Sequence, residues 1–259
     1  MNRYLSTAGL AGRVIWRVLA ITALAALAVG ALLMRLPVLE AVEAYAPDLD
    51  AELWPIAMEE VSRRSLAPVA CLIGFAGLMA VLSLNGCGFG TRSDYTVRRL
   101  QVEEWAAELM WAGCYTACVV FYWAVMAAVC WWAVGQRLTL LAADPTWSYL
   151  VGPQSRMLAF YSGTFFHHLL PLADVAIWVE NAVLAVVCGS SAVRFSRRQR
   201  RGRLSIAPLL ALLLTAVSFS FRMGGVENYS LALAAVVTAG YNLLRRGEEE
   251  DEALVQSTP

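Results

Sequence analysis

Long apolar runs, separated by short polar segments, dominate the pattern of this chain. The hydrocarbon core of a bilayer is about 30 Å thick, so a helix needs roughly 20 mostly apolar residues to cross it. Runs of about this length predict six transmembrane helices, at 14–34, 65–85, 106–136, 175–193, 204–221 and 228–244. We therefore expect an all-α integral membrane protein, with residues 1–247 forming a single transmembrane domain.

The segment 157–173 is uncharged, but Gly163 and Pro171 interrupt it. The distribution of arginines helps to place it, because cytoplasmic loops carry an excess of positive charge. Six spans with both termini cytoplasmic put 14 of the 20 arginines inside, against 13 for a seven-span alternative, which also exports the three arginines of loop 86–108. We interpret 157–173 as a re-entrant or interfacial segment that enters from the outer face.

Composition narrows the class of protein. The chain is 59% hydrophobic and 15% charged, with a formal net charge of zero, whereas soluble domains average about 25% charged residues. This composition excludes disordered, collagenous and nucleic-acid-binding proteins. It indicates a multi-pass protein of a cell membrane, and we expect a bacterial plasma membrane. The acidic segment 248–259 is expected to be a cytoplasmic tail.

The supply of catalytic side chains is also restricted. All 20 basic residues are arginine and only two histidines occur, His167 and His168. A phosphate-binding P-loop needs a lysine, and zinc sites of the HExxH type need two histidines four residues apart. We therefore expect a chain that is not an enzyme, holds no cofactor or metal, and binds no ATP itself.

Loop 86–108 follows the second predicted span on the cytoplasmic side. Ser93 or Asp94 offers an N-cap for a short helix with an apolar edge and two arginines. The residues of this short helix are Tyr95, Thr96, Val97, Arg98, Arg99 and Leu100. Such an element suits docking of a partner, and the alternative is a positively charged turn with an interfacial helix.

The stretch R-S-D-Y-T-V-R-R-L, at Arg92–Leu100, resembles the Y-T-L-x-R-L segment of ATP-binding-cassette (ABC) exporter permeases of the type 2 family. In that family the loop after the second span carries a coupling helix that seats in a groove of the ATPase subunit. The resemblance implies a transport subunit with a cytoplasmic ATP-binding subunit as partner, docked on Tyr95–Leu100. It also implies a homo- or heterodimer of membrane subunits in the lipid bilayer.

Ionisable residues within apolar segments are the other candidates for function. Glu180 lies about two turns into the fourth predicted span, and His167, His168 and Asp174 lie just before it. Such groups are costly in a membrane and usually have a role. These residues either form a metal or proton site, or pair with one another or face water near the outer surface. For the chain as a whole, the alternatives are an intramembrane enzyme or ion-coupled protein that uses this polar site, and an accessory membrane subunit without chemistry.

Overall fold

The computed structural model describes residues 9, 12–35, 54–85, 104–145, 148, 151–172, 174–200, 205–220 and 233–238, and in these residues the protein is helical, with no strand. Its main helices are α1 (Ile15–Arg35), α2 (Trp54–Arg64), α3 (Ala67–Asn85), α4 (Glu104–Ala142), α5 (Ser155–Ser162), α6 (Thr164–Leu169), α7 (Val175–Arg200) and α8 (Ala207–Ser220).

Four of the helices in the described ranges are long and apolar enough to cross a bilayer: α1, α3, α4 and α7. Each contains a window with mean hydropathy between 1.6 and 2.2. The all-α membrane character expected from the sequence is therefore confirmed at this level. Helix α8 is apolar but has only 14 residues, and of the sixth predicted span only 233–238 lies within the described residues.

Helix α4 is the centre of the bundle. It packs against α1 and α7 along much of their length, and it also contacts α3, α5 and α6. Its fully buried side chains recur every three or four residues, which places them on one face of the helix. They are Tyr115, Val119, Tyr122, Met126, Cys130 and Val134.

Small residues allow the long helices to approach closely. A Cβ added at Gly189 of α7 would lie 2.8 Å from the backbone oxygen of Ala112 in α4. One at Gly74 of α3 would lie 2.6 Å from the hydroxyl oxygen of Tyr122, and that hydroxyl donates a hydrogen bond of 2.6 Å to the carbonyl oxygen of Cys71. Close backbone packing of this kind holds helices together in membranes, where apolar surface alone drives little association.

The two ends of the bundle differ in their contacts. We call the end where α3 finishes and α4 begins the loop end, because residues 86–103 connect them there. At the loop end, Ser196 of α7 donates a hydrogen bond of 2.6 Å to the carbonyl oxygen of Ser83. The opposite end, where α1 finishes, is the far end, and there the Arg137 guanidinium donates to the carbonyl oxygen of Leu33.

Short helices cover the far end. Helix α2 packs on α5, and the Thr164 hydroxyl donates a hydrogen bond of 3.1 Å to Oε1 of Glu59. The segment 157–173 is divided between α5 and α6, which have 8 and 6 residues. At 1.5 Å per residue they measure about 12 and 9 Å, so neither reaches across a hydrocarbon core of about 30 Å.

An ion-pair cluster stabilises the C-terminal part of α2. Glu60 accepts a hydrogen bond of 2.6 Å from Nε of Arg64 and one of 2.9 Å from Nε of Arg63. The hydrogen bond from Arg64 is the main cause that holds the pKa of Glu60 below its ordinary value, against the opposing effect of burial. The carboxylate is therefore the stable form of Glu60 at neutral pH.

Candidate functional site

The predicted polar site lies at the far end, where α6, the start of α7 and the end of α8 meet. His167, His168 and Glu180 are all buried, with 5%, 2% and 0% of their surface exposed. Asp174 lies at the boundary with solvent, with 38% of its side chain exposed. The structure thus brings the four predicted residues into one region, but it gives each of them a different set of contacts.

Glu180 is the most deeply buried member of this region. Its Oε1 accepts a hydrogen bond of 2.6 Å from the hydroxyl of Ser218 in α8, and its Oε2 accepts none within the described part of the chain. A carboxyl group with one oxygen hydrogen-bonded and the other without a hydrogen bond is able to carry a proton or to contact a cation. Carboxyl groups buried in membrane spans usually serve such roles.

Asp174 has a structural role in addition to its charge. Its Oδ1 accepts a hydrogen bond of 3.0 Å from the backbone N–H of Ala176, which satisfies a donor at the start of α7 as an N-cap does. Its Oδ2 lies 3.9 Å from Nε2 of His167. This separation permits an ion pair when His167 is protonated, but it is too long for a hydrogen bond.

His168 contributes through its backbone as well as its ring. Its carbonyl oxygen accepts a hydrogen bond of 2.8 Å from Nδ2 of Asn181, which joins α6 to α7. Its ring packs on Phe219, with the two ring centroids 5.6 Å apart. Among the residues that the structure describes, no three His, Cys, Asp or Glu side chains are arranged to hold a metal ion.

A cavity of about 510 Å³ lies beside this polar region, between α4, α6, α7 and α8. Its wall is mostly apolar and aromatic, with His168 and Asn181 as its polar members. The larger side chains that line it are Val120, Trp123, Trp131, Leu169, Leu170, Trp178 and Phe219. Such a lining suits an apolar molecule with few polar groups, since small-molecule sites are mainly hydrophobic with a few placed polar contacts.

Sequence reasoning missed Ser218 and the aromatic cavity wall. Ser218 and Thr215 are both buried in α8, and three residues apart they share a helix face. Two hydroxyls on one face of an apolar run were the available signal for a partner in another helix. The cavity wall had no such signal, because Trp123 and Phe219 are 96 positions apart and meet only in the folded bundle, with their ring centroids 5.9 Å apart.

The loop end holds a second polar cluster. Arg197 of α7 and Glu108 of α4 form an ion pair with Nη1 and Oε1 2.9 Å apart. The side-chain amide of Asn85, the last residue of α3, donates a hydrogen bond of 3.0 Å to the hydroxyl of Tyr115. These contacts tie together the helix ends that flank loop 86–103.

The predicted docking residues themselves lie outside the described residues. They are Tyr95, Thr96, Val97, Arg98, Arg99 and Leu100. The docking segment therefore stays a prediction. No family model, curated protein or solved structure matches this chain.

Proposed function

We propose that this chain is the membrane permease subunit of an ABC-type transporter, driven by a separate ATP-binding subunit that docks on loop 86–108. The observation that supports this proposal is helix α4, which begins at Glu104 and runs without interruption to Ala142. One continuous helix therefore joins the docking loop to the aromatic cavity, whose wall it supplies from Val120 to Trp131.

The length of α4 suits a helix that transmits motion. With 39 residues it is about 58 Å long at 1.5 Å per residue, nearly twice the thickness of the hydrocarbon core. A helix of this length tilts or projects beyond the membrane. Because α4 contacts α1, α3 and α7 as well as the short helices α5 and α6, a movement of its loop end reaches most of the bundle.

The contacts at the loop end spread a docking force over three helices. Asn85 ends α3 just before the loop and is bonded to Tyr115 of α4. Glu108, in the second turn of α4, is paired with Arg197 of α7. An ATPase that pulls on the loop would therefore move α3, α4 and α7 together, which is what a coupling element requires.

The transported molecule, under this proposal, occupies the aromatic cavity and is mainly apolar. We further propose six spans with cytoplasmic termini, with 157–173 re-entering from the outer face as α5 and α6. The expected setting is a bacterial plasma membrane, with the permease acting as a homo- or heterodimer. The short length of α5 and α6 supports this topology.

Partner binding tests the proposal directly. The Tyr95→Ala variant should lose the ATPase from pull-downs of solubilised membranes, because aromatic and arginine anchors carry much of the energy of interfaces. Loss of such an anchor costs about 2 kcal/mol, or roughly thirtyfold in affinity. Tyr95→Phe, which keeps the ring, is the matched control, and mass spectrometry of the co-purified chains identifies the partner.

A charge reversal gives a second arm to this experiment. The Arg98→Glu/Arg99→Glu variant should also release the partner, whereas Arg245→Glu/Arg246→Glu, which removes the same number of predicted cytoplasmic charges elsewhere, should retain it. If Tyr95→Ala and the Arg98/Arg99 reversal are correctly inserted and both bind the partner fully, the loop is not the docking site. The isolated chain should hydrolyse no ATP, since phosphoryl transfer needs a phosphate cradle and a bound cation.

A second candidate function is coupling to a proton or cation at the polar site, and the contact between Glu180 and Ser218 favours it. Under this alternative the purified chain transports without an ATPase. Glu180→Gln keeps the shape and the acceptor for the Ser218 hydroxyl but removes the titratable proton, so ion-driven uptake into vesicles should stop. Glu59→Gln, which makes the same change outside the polar site and keeps an acceptor for the Thr164 hydroxyl, is the control. Absence of ion-driven uptake by the purified chain argues for the ATP-driven permease, and uptake that survives Glu180→Gln removes Glu180 from the coupling.

A further inference from the structure

Arg156 occupies a slot on the surface of α4 at the far end. Its guanidinium carbon lies 5.2 Å from the centroid of the Trp131 ring, a distance at which a cation is attracted to the face of an aromatic ring. One turn further along α4, Gly135 continues the slot. A Cβ at position 135 would lie 2.7 Å from that guanidinium carbon and closer still to Nη2, so an alanine there would make the guanidinium shift.

The backbone around Arg156 is fixed as well. The N–H of Gly152 donates a hydrogen bond of 2.8 Å to the hydroxyl oxygen of Ser155, and the N–H of Ser155 donates one of 3.1 Å to the carbonyl oxygen of Gly152. This reciprocal pair closes the turn that leads into α5. Arg156 follows this turn directly, so the turn orders its backbone while Trp131 and Gly135 of α4 receive its side chain.

The guanidinium has no anionic partner within the described part of the chain. It forms the contact with Trp131, and neither a hydrogen bond nor an ion pair occupies its N–H groups there. Arginine carries five donors in a planar fork that matches the geometry of phosphate and carboxylate. A half-buried fork that is preorganised and left open is therefore suited to bind an anion.

A cavity of about 240 Å³ lies next to this fork. Among the described residues its walls include Leu138 and Ala142 of α4 together with Val151 and Pro153 of the preceding loop, and Arg156 is its charged member. One positive charge against apolar walls fits a ligand with a single anionic group joined to an apolar body. A free inorganic anion would leave the apolar walls without a contact.

The position of Arg156 along α4 indicates that such a ligand comes from the membrane. Trp131 and Trp132 lie near the end of the apolar run, and exposed tryptophans gather at the level of lipid headgroups; Trp132 is 54% exposed. We propose that Arg156 and the cavity beside it bind the phosphate group of a membrane phospholipid. This site is independent of any ATPase partner and stands whether or not the chain is a permease.

Lipid binding by the purified full-length chain in detergent tests this site. Phosphatidylglycerol, a diacylglycerol with the same acyl chains, and inorganic phosphate are titrated separately, with bound molecules counted by native mass spectrometry. Wild type should retain phosphatidylglycerol at least tenfold more tightly than diacylglycerol, because charge-assisted hydrogen bonds to phosphate are strong. Inorganic phosphate alone should bind weakly or not at all.

Two variants locate the binding. Arg156→Gln removes the charge and should weaken phosphatidylglycerol binding at least tenfold. Gly135→Ala keeps the charge but makes the guanidinium shift from its slot, so it should weaken binding by a smaller factor. Arg63→Gln, an exposed arginine of the same end, and Gly113→Ala, where a Cβ meets nothing within 4 Å, are the controls and should bind as wild type.

Several results would overturn the assignment. Equal binding of phosphatidylglycerol and diacylglycerol by wild type excludes phosphate recognition, whatever the variants do. Wild-type affinity in both Arg156→Gln and Gly135→Ala places the lipid elsewhere. If the protein binds inorganic phosphate tightly but does not bind phosphatidylglycerol, the ligand of this site is a soluble anion and not a lipid.

Discussion

The contact between α4 and α7 at Gly189 makes the sharpest prediction about stability. A Cβ at this position would lie 2.8 Å from the backbone oxygen of Ala112 and 2.8 Å from the backbone nitrogen of Thr116. Both atoms belong to the interior of α4 and cannot move without the helix. To reach an ordinary contact of 3.4 Å, the two helices must separate by about 0.6 Å, which loosens the packing around the contact.

The expected cost follows from two opposing effects. Forcing an extra methyl group into a packed interface costs about 1–3 kcal/mol, while replacing glycine by alanine inside a helix gains about 0.5–1 kcal/mol. Gly189→Ala should therefore lower the free energy of unfolding by about 1 kcal/mol, and by about 2.5 kcal/mol at most. Gly113→Ala, with open space around its Cβ, should instead keep or raise it.

Unfolding of the two variants in mixed micelles, followed by circular dichroism, measures this difference. Both substitutions replace glycine by alanine within long apolar helices, so the change in chemistry is the same and only the surroundings differ. If Gly189→Ala is at least as stable as wild type while Gly113→Ala behaves as expected, the close approach of α4 and α7 at this point is wrong.

Three further predictions concern other parts of the molecule. In a cysteine-free background, an impermeant thiol reagent should label single cysteines at Ser93, Gln199 and Ser257 only in opened cells, and at Asp50 in intact cells; labelling at Ser93 from outside supports seven spans. Tyr122→Phe should cost about 1 kcal/mol in unfolding experiments, because the carbonyl oxygen of Cys71 loses its hydrogen bond from the hydroxyl; an unchanged stability contradicts that bond. The pKa of Glu60 is lowered in the folded state. Its contribution to the stability of α2 should therefore be complete above about pH 4.5 and disappear as the pH falls through the lower folded pKa. Hydrogen exchange of α2 measures this dependence, which the Glu60→Gln variant should lack.

The sequence located the long helices better than it located their ends. The apolar run predicted a span at 106–136, whereas α4 extends from Glu104 to Ala142. Hydropathy reports where a helix meets lipid, but the backbone hydrogen bonds of a helix continue through polar residues. Arg137 shows this clearly, since it lies beyond the apolar run and yet is 2% exposed because its guanidinium donates to the carbonyl oxygen of Leu33.

The contacts of the candidate site were harder to predict. Residues that are costly in a membrane, such as Glu180, stand out in an apolar sequence without any knowledge of the fold. Their partners cannot be paired with them from the sequence, because the hydroxyls of Thr215 and Ser218 mark a polar face of α8 but do not show that it meets a residue 38 positions away. The same holds for Trp131 and Arg156, whose contact depends on a glycine one turn along α4. Local spacing cannot encode pairs that only the packing of helices creates.

The short helices at the far end constrain the order in which the chain is assembled during synthesis. Helix α2 packs on α5, and the hydrogen bond between Glu59 and Thr164 joins residues 105 positions apart. When α2 emerges from the ribosome, α4 has not been made and α5 does not exist. The far end is therefore completed only after α4 and α5 have been synthesised, and until then the face of α2 that later meets α5 lacks this partner.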